Sequence, residues 1–232
     1  IMLERLVQTV KLSRNIIKWI AILTMIIDHI GAAFLTDGST YYFICRFIGR
    51  ISLPLFVYLF ADGFDRIKNH KKHIIELVMF AIISEPFYDR VIHGQWLYLD
   101  NQNIFFTWLV CYLMLLGFNK VDNVKSKFDK LTFKLAIMAT AGLLTYFLGF
   151  DYTFVAVVSV ACVYYFKTIA KIGIPLLMFA SYLNPGVFVS MPILLLYDSN
   201  KHCKYTKFMK YAFISFYPIH LFVMYILIAF VI

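Results

Sequence analysis

Charge is scarce in this chain. Of 232 residues only 15% are Asp, Glu, Lys or Arg, while 62% are hydrophobic and the mean hydropathy is +0.77. Soluble domains carry roughly 25% charged residues, so no soluble domain fits this composition. Cysteine is sparse as well: Cys45, Cys111, Cys162 and Cys203 show no CxxC spacing, which argues against a disulfide framework or a thiolate metal site. No metal is expected. Internal repeats are also lacking, and symmetric transport pathways are commonly built from paired repeats. Acidic residues number 13 against 22 Lys and Arg, a formal net charge of +9. In a soluble protein that excess would suggest nucleic acid, but here the basic residues fall in particular connections between apolar runs. No nucleic-acid partner is expected, and the charge is read as topology.

Apolar stretches of roughly 20 residues are long enough to cross a bilayer core as helices. The spans read from the sequence are approximately 15–35, 42–64, 73–88, 103–119, 132–150, 152–166, 172–183, 186–197 and 211–232. Every second connection is basic. Arg5, Lys11, Arg14 and Lys18 precede the first span, DRIKNHKKH follows the second, and Lys120 to Lys134 form a third group. Lys167 with Lys171 and Lys201, Lys204, Lys207 and Lys210 continue the alternation. The intervening connections, such as LTDGSTYY and EPFYDRVIHGQWLYLDNQN, are mixed or neutral. The expectation is an all-α, polytopic transmembrane bundle of about nine spans. The positive-inside rule puts its N-terminus in the cytoplasm. Residues 1–232 are expected to form a single integral-membrane domain in a lipid bilayer. The first span is expected to be retained, because a charged pair inside its apolar run argues against a signal peptide.

That pair is Asp28 and His29, in ILTMIIDHIGAAFL. Ionisable residues inside spans are costly, usually face the bundle interior and are functional candidates by default. The others are Arg46 and Arg50 in span two, Glu85 near the outer end of span three and His220 in span nine, with Asp62 near the inner end of span two. At 1.5 Å per residue, Asp28, Arg46 and Arg50 lie roughly 7 to 14 Å below the outer boundary and can share one layer. Arg46 and Arg50, four residues apart, share a helical face, and Asp28 is the natural counter-ion for one of them. Adjacent helical residues do not face each other, so His29 must look elsewhere, toward a substrate or His220. An uncharged imidazole there can exchange protons near neutral pH. The bland reading is an interhelical ion pair with a hydrogen-bonded histidine. Asn103 and Thr107, at i and i+4, are candidates for holding a substrate carbonyl, with interhelical hydrogen bonding as the plainer reading. Pro54 and Pro86 mark places where a helix kinks or ends.

The stretches KWIAILTMIIDHIGAAFL, RFIGRISLPLFVYLFADGF, FAIISEPFYD, NIFFTW and the late YPIHL resemble, in order, the TraX family of membrane proteins. Residues from about 120 to 210 resemble it mainly in hydropathy. The resemblance implies an integral-membrane acetyltransferase of a bacterial inner or plasma membrane, similar to the wider group of transmembrane acyltransferases. The family's named member acetylates the N-terminus of a conjugative pilin. Asp28 and His29 fall on the family's DH, Arg46 and Arg50 on its R-x-x-G-R element, Glu85 on a polar position ending span three and His220 on P-x-H-L. The implied donor is acetyl-CoA, and the implied acceptor is an amine or hydroxyl of a membrane-associated or extracytoplasmic peptide, lipid or glycan. Lys68, Lys71, Lys72 or the Lys201 to Lys210 group would then meet the donor's phosphates. Two alternatives stand beside this: a phospholipid-dependent transacylase, with the lipid phosphate at Arg46 and Arg50, and a proton-coupled transporter.

Overall fold

A computed structural model describes residues 11–201 and 206–231. Arg5, Cys203 and Lys204, and the side chain of Lys207, lie outside the described residues. The described chain is helical, with no strand and only two isolated bridges, Leu12 with Tyr197 and Gln102 with Phe150. In chain order the helices are α1 (Arg14–Phe34), α2 (Thr40–Gly49), α3 (Ser52–Asp62), α4 (His70–Tyr88) and α5 (Ile104–Val121). They continue as α6 (Lys127–Phe147), α7 (Thr153–Tyr165), α8 (Lys167–Tyr182), α9 (Ser190–Leu195) and α10 (Lys207–Val231). A tight turn at 50–51, closed by the Ile51 N–H on the Ile48 carbonyl at 3.2 Å, joins α2 and α3 into one apolar stretch, Thr40–Asp62.

Local chemistry sets several starts. The Ser39 hydroxyl accepts from the Tyr42 N–H, the Asn69 amide oxygen from Lys72 and the Ser126 hydroxyl from Asp129, each satisfying an N–H that the first helical turn leaves orphaned. Between α1 and α2 the chain turns through Asp37 and Gly38, whose φ of +83° favours glycine.

Four helical stretches among the described residues are long and apolar enough to cross a membrane: Arg14–Phe34, Thr40–Asp62, Ile104–Val121 and Met209–Phe230. Large apolar side chains such as Leu23, Phe43, Phe147 and Phe230 are exposed on the protein surface, as lipid-facing residues are. The other expected spans also coincide with helices but differ in kind. α7 has 13 residues, about 20 Å at 1.5 Å each, short of a core of roughly 30 Å. α4 begins with His70, Lys71, Lys72 and His73, and the first half of α6 holds Lys127, Asp129, Lys130 and Lys134.

Two compact units divide the chain. Ile1–Leu59 with Lys167–Ile214 form one, Phe60–Phe166 with Ser215–Ile232 the other. In the first, α1 packs on α2 through small residues. A Cβ on Gly31 would come within 2.6 Å of the Cys45 Cβ, so the glycine permits the close approach. Lipid is as apolar as a leucine side chain, so such contact and interhelical hydrogen bonds, rather than water exclusion, hold membrane helices together. The Ser52 hydroxyl donates to the Ala21 carbonyl at 2.9 Å, and Arg14 to the Leu59 carbonyl at 2.5 Å. Leu12 is tied to the far end of this unit: its N–H donates to Leu196 at 2.8 Å, and its carbonyl accepts from Asp198 at 3.1 Å. Lys11 and Asp198 form an ion pair at 3.0 Å beside that bridge.

The second unit is built on α5. Cys111, Tyr112, Met114, Leu115 and Phe118 are all at most 2% exposed, so one face of this helix is buried by its neighbours. The segment before it is pinned by the Gln102 N–H on Gly149 at 2.9 Å and the Asp151 N–H on Gln102 at 3.0 Å. Gly149 has φ +64°, and a Cβ there would strike the Asp100 carbonyl, so both conformation and space require glycine.

Candidate functional site

The first unit places Asp28 of α1 opposite the start of the second apolar stretch. Its Oδ2 accepts from Arg46 Nη1 at 2.7 Å, an ion pair whose side chains are 9% and 22% exposed. Spacing alone left Arg46 and Arg50 equivalent as partners for Asp28. The packing of α1 on α2 selects Arg46. Gly49 makes the geometry possible, since any Cβ at that position would overlap the Asp28 carboxylate. Asp28 Oδ1 lies buried against this glycine without a hydrogen-bond partner among the described residues.

Arg50 is the second cation acting on Asp28, and its guanidinium sits 5.6 Å from the Tyr182 ring centroid. Arg46 lies 5.9 Å from the Tyr42 ring. Cations near aromatic faces are stabilised most where water is excluded. His29 is half-buried where Asp28 is buried, so the adjacent pair looks in different directions, as their separation around the helix requires. Asp28, His29, Arg46 and Arg50 thus combine a carboxylate, an imidazole and two guanidiniums within one unit, at a depth where each must find a polar neighbour.

Glu85, Asn103, Thr107 and His220 belong to the second unit. Glu85 Oε2 accepts from the Asn103 backbone N–H at 3.1 Å and from its side-chain amide. Asn103 Nδ2 also donates to the Ala81 carbonyl at 2.9 Å, and its Oδ1 caps α5 through the Phe105 N–H at 2.9 Å. The carboxylate therefore sits at the positive end of α5, a favourable place for an anion. Thr107 is fully buried and donates to the Asp151 carbonyl at 2.6 Å. Asn103 and Thr107 spend these groups on holding Glu85 and the 149–151 corner. His220 is buried with Nδ1 3.1 Å from the Phe216 carbonyl and its ring stacked on Phe216.

Sequence reasoning missed a further cluster just beyond Pro86. There α4 continues into a single π-helical turn, Asp89–His93, ended by Gly94 with φ +71°. Such wide turns recur at functional sites. Asp89 is fully buried and accepts from the Tyr98 N–H at 2.9 Å, while the His93 ring stacks on Tyr98 at 4.1 Å. Asp89 Oδ1 and His93 Nε2 are buried without hydrogen-bond partners among the described residues. The available signal was the Asp-x-x-x-His spacing between a proline and a glycine, masked because the stretch reads as a polar connection.

Burial raises the Asp89 carboxyl above its ordinary 3.8, with the Tyr98 N–H and His93 pulling it partly back. Burial likewise lowers His93 below its ordinary 6.5, with Asp89 pulling it partly up. The two groups therefore act on stability in opposite senses. The His93 contribution is present above 6.5 and lost as pH falls through the depressed value. The Asp89 contribution is present below 3.8 and lost as pH rises through the elevated value. His93→Gln should consequently lose less thermal stability than the parent on acidification below about pH 6. Asp89→Asn should gain on it as pH rises toward about 7. Melting curves in detergent across that range check both; variant and parent curves that run parallel would defeat the assignment.

The TraX protein family matches residues 13–228, nearly the whole chain. Over 118 residues the chain is 36% identical to a Dichelobacter nodosus protein named as a probable fimbrial assembly protein FimC, serogroup H1. That match covers 45% of this chain and 48% of the relative, so it spans about half of the relative's length. No solved structure matches. The family match takes in α1 to α9 and most of α10, including the Asp28–Arg46 pair, Glu85 and His220, and on that coverage the chain belongs to the TraX family.

Proposed function

We propose that this protein is a multi-pass acyltransferase of a bacterial inner membrane, with a cytoplasmic N-terminus. It moves an acetyl group from acetyl-CoA to an amine or hydroxyl of a membrane-associated or extracytoplasmic acceptor. The observation that carries this reading is the buried Asp28–Arg46 ion pair with Arg50 one turn on and His29 beside it. The ion pair joins one carboxylate to one arginine, and the second guanidinium and half-buried imidazole in the same unit add the residue types that acyl transfer uses.

In this reading His29 takes the proton from the acceptor as its nitrogen or oxygen attacks the thioester carbonyl carbon. Negative charge develops on the carbonyl oxygen, where the Arg50 guanidinium stabilises it in a site of low dielectric. Collapse of the tetrahedral species breaks the C–S bond, and the departing thiolate recovers the proton from the imidazolium. Arg46, committed to Asp28, fixes α2 against α1 and so positions Arg50. The donor's phosphates fall to the basic connections, Lys68, Lys71 and Lys72 or the Lys201 to Lys210 group. Among acceptors, the name of the Dichelobacter relative supports trying a fimbrial or pilin-like peptide first.

Protein in nanodiscs incubated with radiolabelled acetyl-CoA and a pilin-like peptide is expected to transfer label or hydrolyse the donor. Arg50→Ala should lower that rate by about 10²- to 10³-fold, the usual cost of losing one oxyanion partner. Absence of donor binding and of turnover by the folded protein would reject the acetyl-CoA reading and turn attention to phospholipid donors or proton-coupled transport.

A further inference from the structure

The antiparallel helices α5 and α6 enclose a groove of about 420 Å³ within the second unit. Gly117 lets the two helices approach closely, with Ile137 atoms 3.2 to 3.3 Å from the position of an added Cβ. The walls run from Val121 and Phe133 at one end to Val110 and Leu144 at the other. The Thr140 hydroxyl on this lining donates to its own helix, to the Ala136 carbonyl at 2.9 Å. The lining therefore offers hydrocarbon. Val110 to Val121 and Phe133 to Leu144 each rise about 16 Å along a helix, and one leaflet of a bilayer core is about 15 Å deep.

The end at Val121 and Phe133 is strongly basic. Lys120 adjoins Val121, Lys130 and Lys134 flank Phe133, and Lys125 and Lys127 lie in the connection and first turn of α6, five lysines against Asp122 and Asp129. The two acids do not use up this charge. Lys134 binds Asp122 Oδ1 at 2.6 Å, and Lys130 binds the Asp122 carbonyl at 2.7 Å. Lys120, Lys125 and Lys127 are exposed. The N-terminus of α6, capped by Ser126, adds its partial positive charge at the same mouth.

We propose that this groove seats one acyl chain of an anionic glycerophospholipid, with its phosphate held by Lys120, Lys125 and Lys127. An apolar slot one leaflet deep that opens at a cluster of lysines matches both parts of such a lipid. Basic pockets of this kind beside membrane helices select anionic headgroups. By the positive-inside rule the lipid belongs to the cytoplasmic leaflet. The site stands apart from the Asp28–Arg46 constellation, and its occupation does not depend on acyl transfer.

The test is native mass spectrometry of delipidated protein in detergent, offered equal amounts of phosphatidylglycerol and phosphatidylcholine with identical chains. Phosphatidylglycerol is expected to be retained preferentially, by about fivefold for each lysine that meets the phosphate. Lys120→Gln, Lys125→Gln and Lys127→Gln combined should bring the ratio near one. Thr140→Trp, which fills the groove from an exposed position, should lower retention of both lipids. Lys68→Gln, Lys71→Gln and Lys72→Gln together should leave the preference unchanged. Glycerol phosphate, which has the anion without the chain, should fail to compete. Equal retention of both lipids by the parent protein would overturn the proposal. So would a preference that survives in both the lysine and the groove variants, or full competition by glycerol phosphate.

Discussion

Asp28→Ala is expected to cost about 3 kcal/mol of stability, the lower part of the range for breaking a buried ion pair. The loss arises less from the missing attraction than from what remains. The Arg46 guanidinium is left in a site built for a carboxylate at 2.7 Å. Its side chain keeps 22% exposure, which lets it relax partly toward a polar exit and holds the cost below the upper limit. Asp28→Asn separates charge from shape: it preserves the packing against Gly49 and should still lose most of that stability. The double variant Asp28→Ala with Arg46→Met removes both charges and should recover more than half of the loss, since an apolar pair often matches an ionic one. Denaturation of the parent, Asp28→Ala, Arg46→Met and the double variant in one detergent closes the cycle and gives the coupling energy. If the double variant is no more stable than Asp28→Ala, the pair is not the energetic unit its geometry implies.

The second large effect concerns chemistry. His29→Ala should reduce acetyl transfer by about 10²- to 10⁴-fold, the range for losing a positioned general base. The loss should appear in kcat, with the KM for acetyl-CoA little changed, because the imidazole acts on the acceptor proton and not on donor binding. Arg50→Lys offers a complementary comparison. It retains charge without the planar fork, so activity well below the parent but above Arg50→Ala is expected. A His29→Ala protein that is folded and retains the parent's rate would remove this histidine from the mechanism.

Much of the architecture was legible because membrane helices write themselves in composition. The scarcity of charge and the long apolar runs point to an all-helical membrane protein, and the described residues form one class of secondary structure. Crossings were harder to read. Stretches such as 152–166 look apolar enough to span, but α7 has only 13 residues, and length is visible only once the corner at 149–153 is placed. The grouping of Asp28 with arginines was readable from depth along the helices. The choice of Arg46 over Arg50 was not, since it depends on how closely Gly31 and Gly49 let α2 approach α1. Asp89 and His93 were hidden for another reason. Their burial follows from a wide helical turn after Pro86 and from the 98–103 segment folding back, and neither has a periodic pattern that sequence alone exposes.

The bridge from Leu12 to Leu196 and Asp198 bears on how the protein is made. A ribosome delivers residues in order, and the unit that begins at the N-terminus draws its closing parts from beyond Lys167. At about 5 to 20 residues per second, the interval between the emergence of Leu59 and that of Lys201 is roughly 7 to 30 s. For that period α1 to α3 must wait with Asp28 and Arg46 already made, while later parts of the same unit, such as Tyr182 beside Arg50 and Gly186 against Phe47, are still unsynthesised. The early ion pair then serves as a temporary brace, because it is made entirely by residues from the first 50 and asks nothing of the later chain. Nascent proteins that lose it would be exposed to membrane quality-control proteases during that window, so Asp28 variants should accumulate poorly in cells even where the finished protein survives purification.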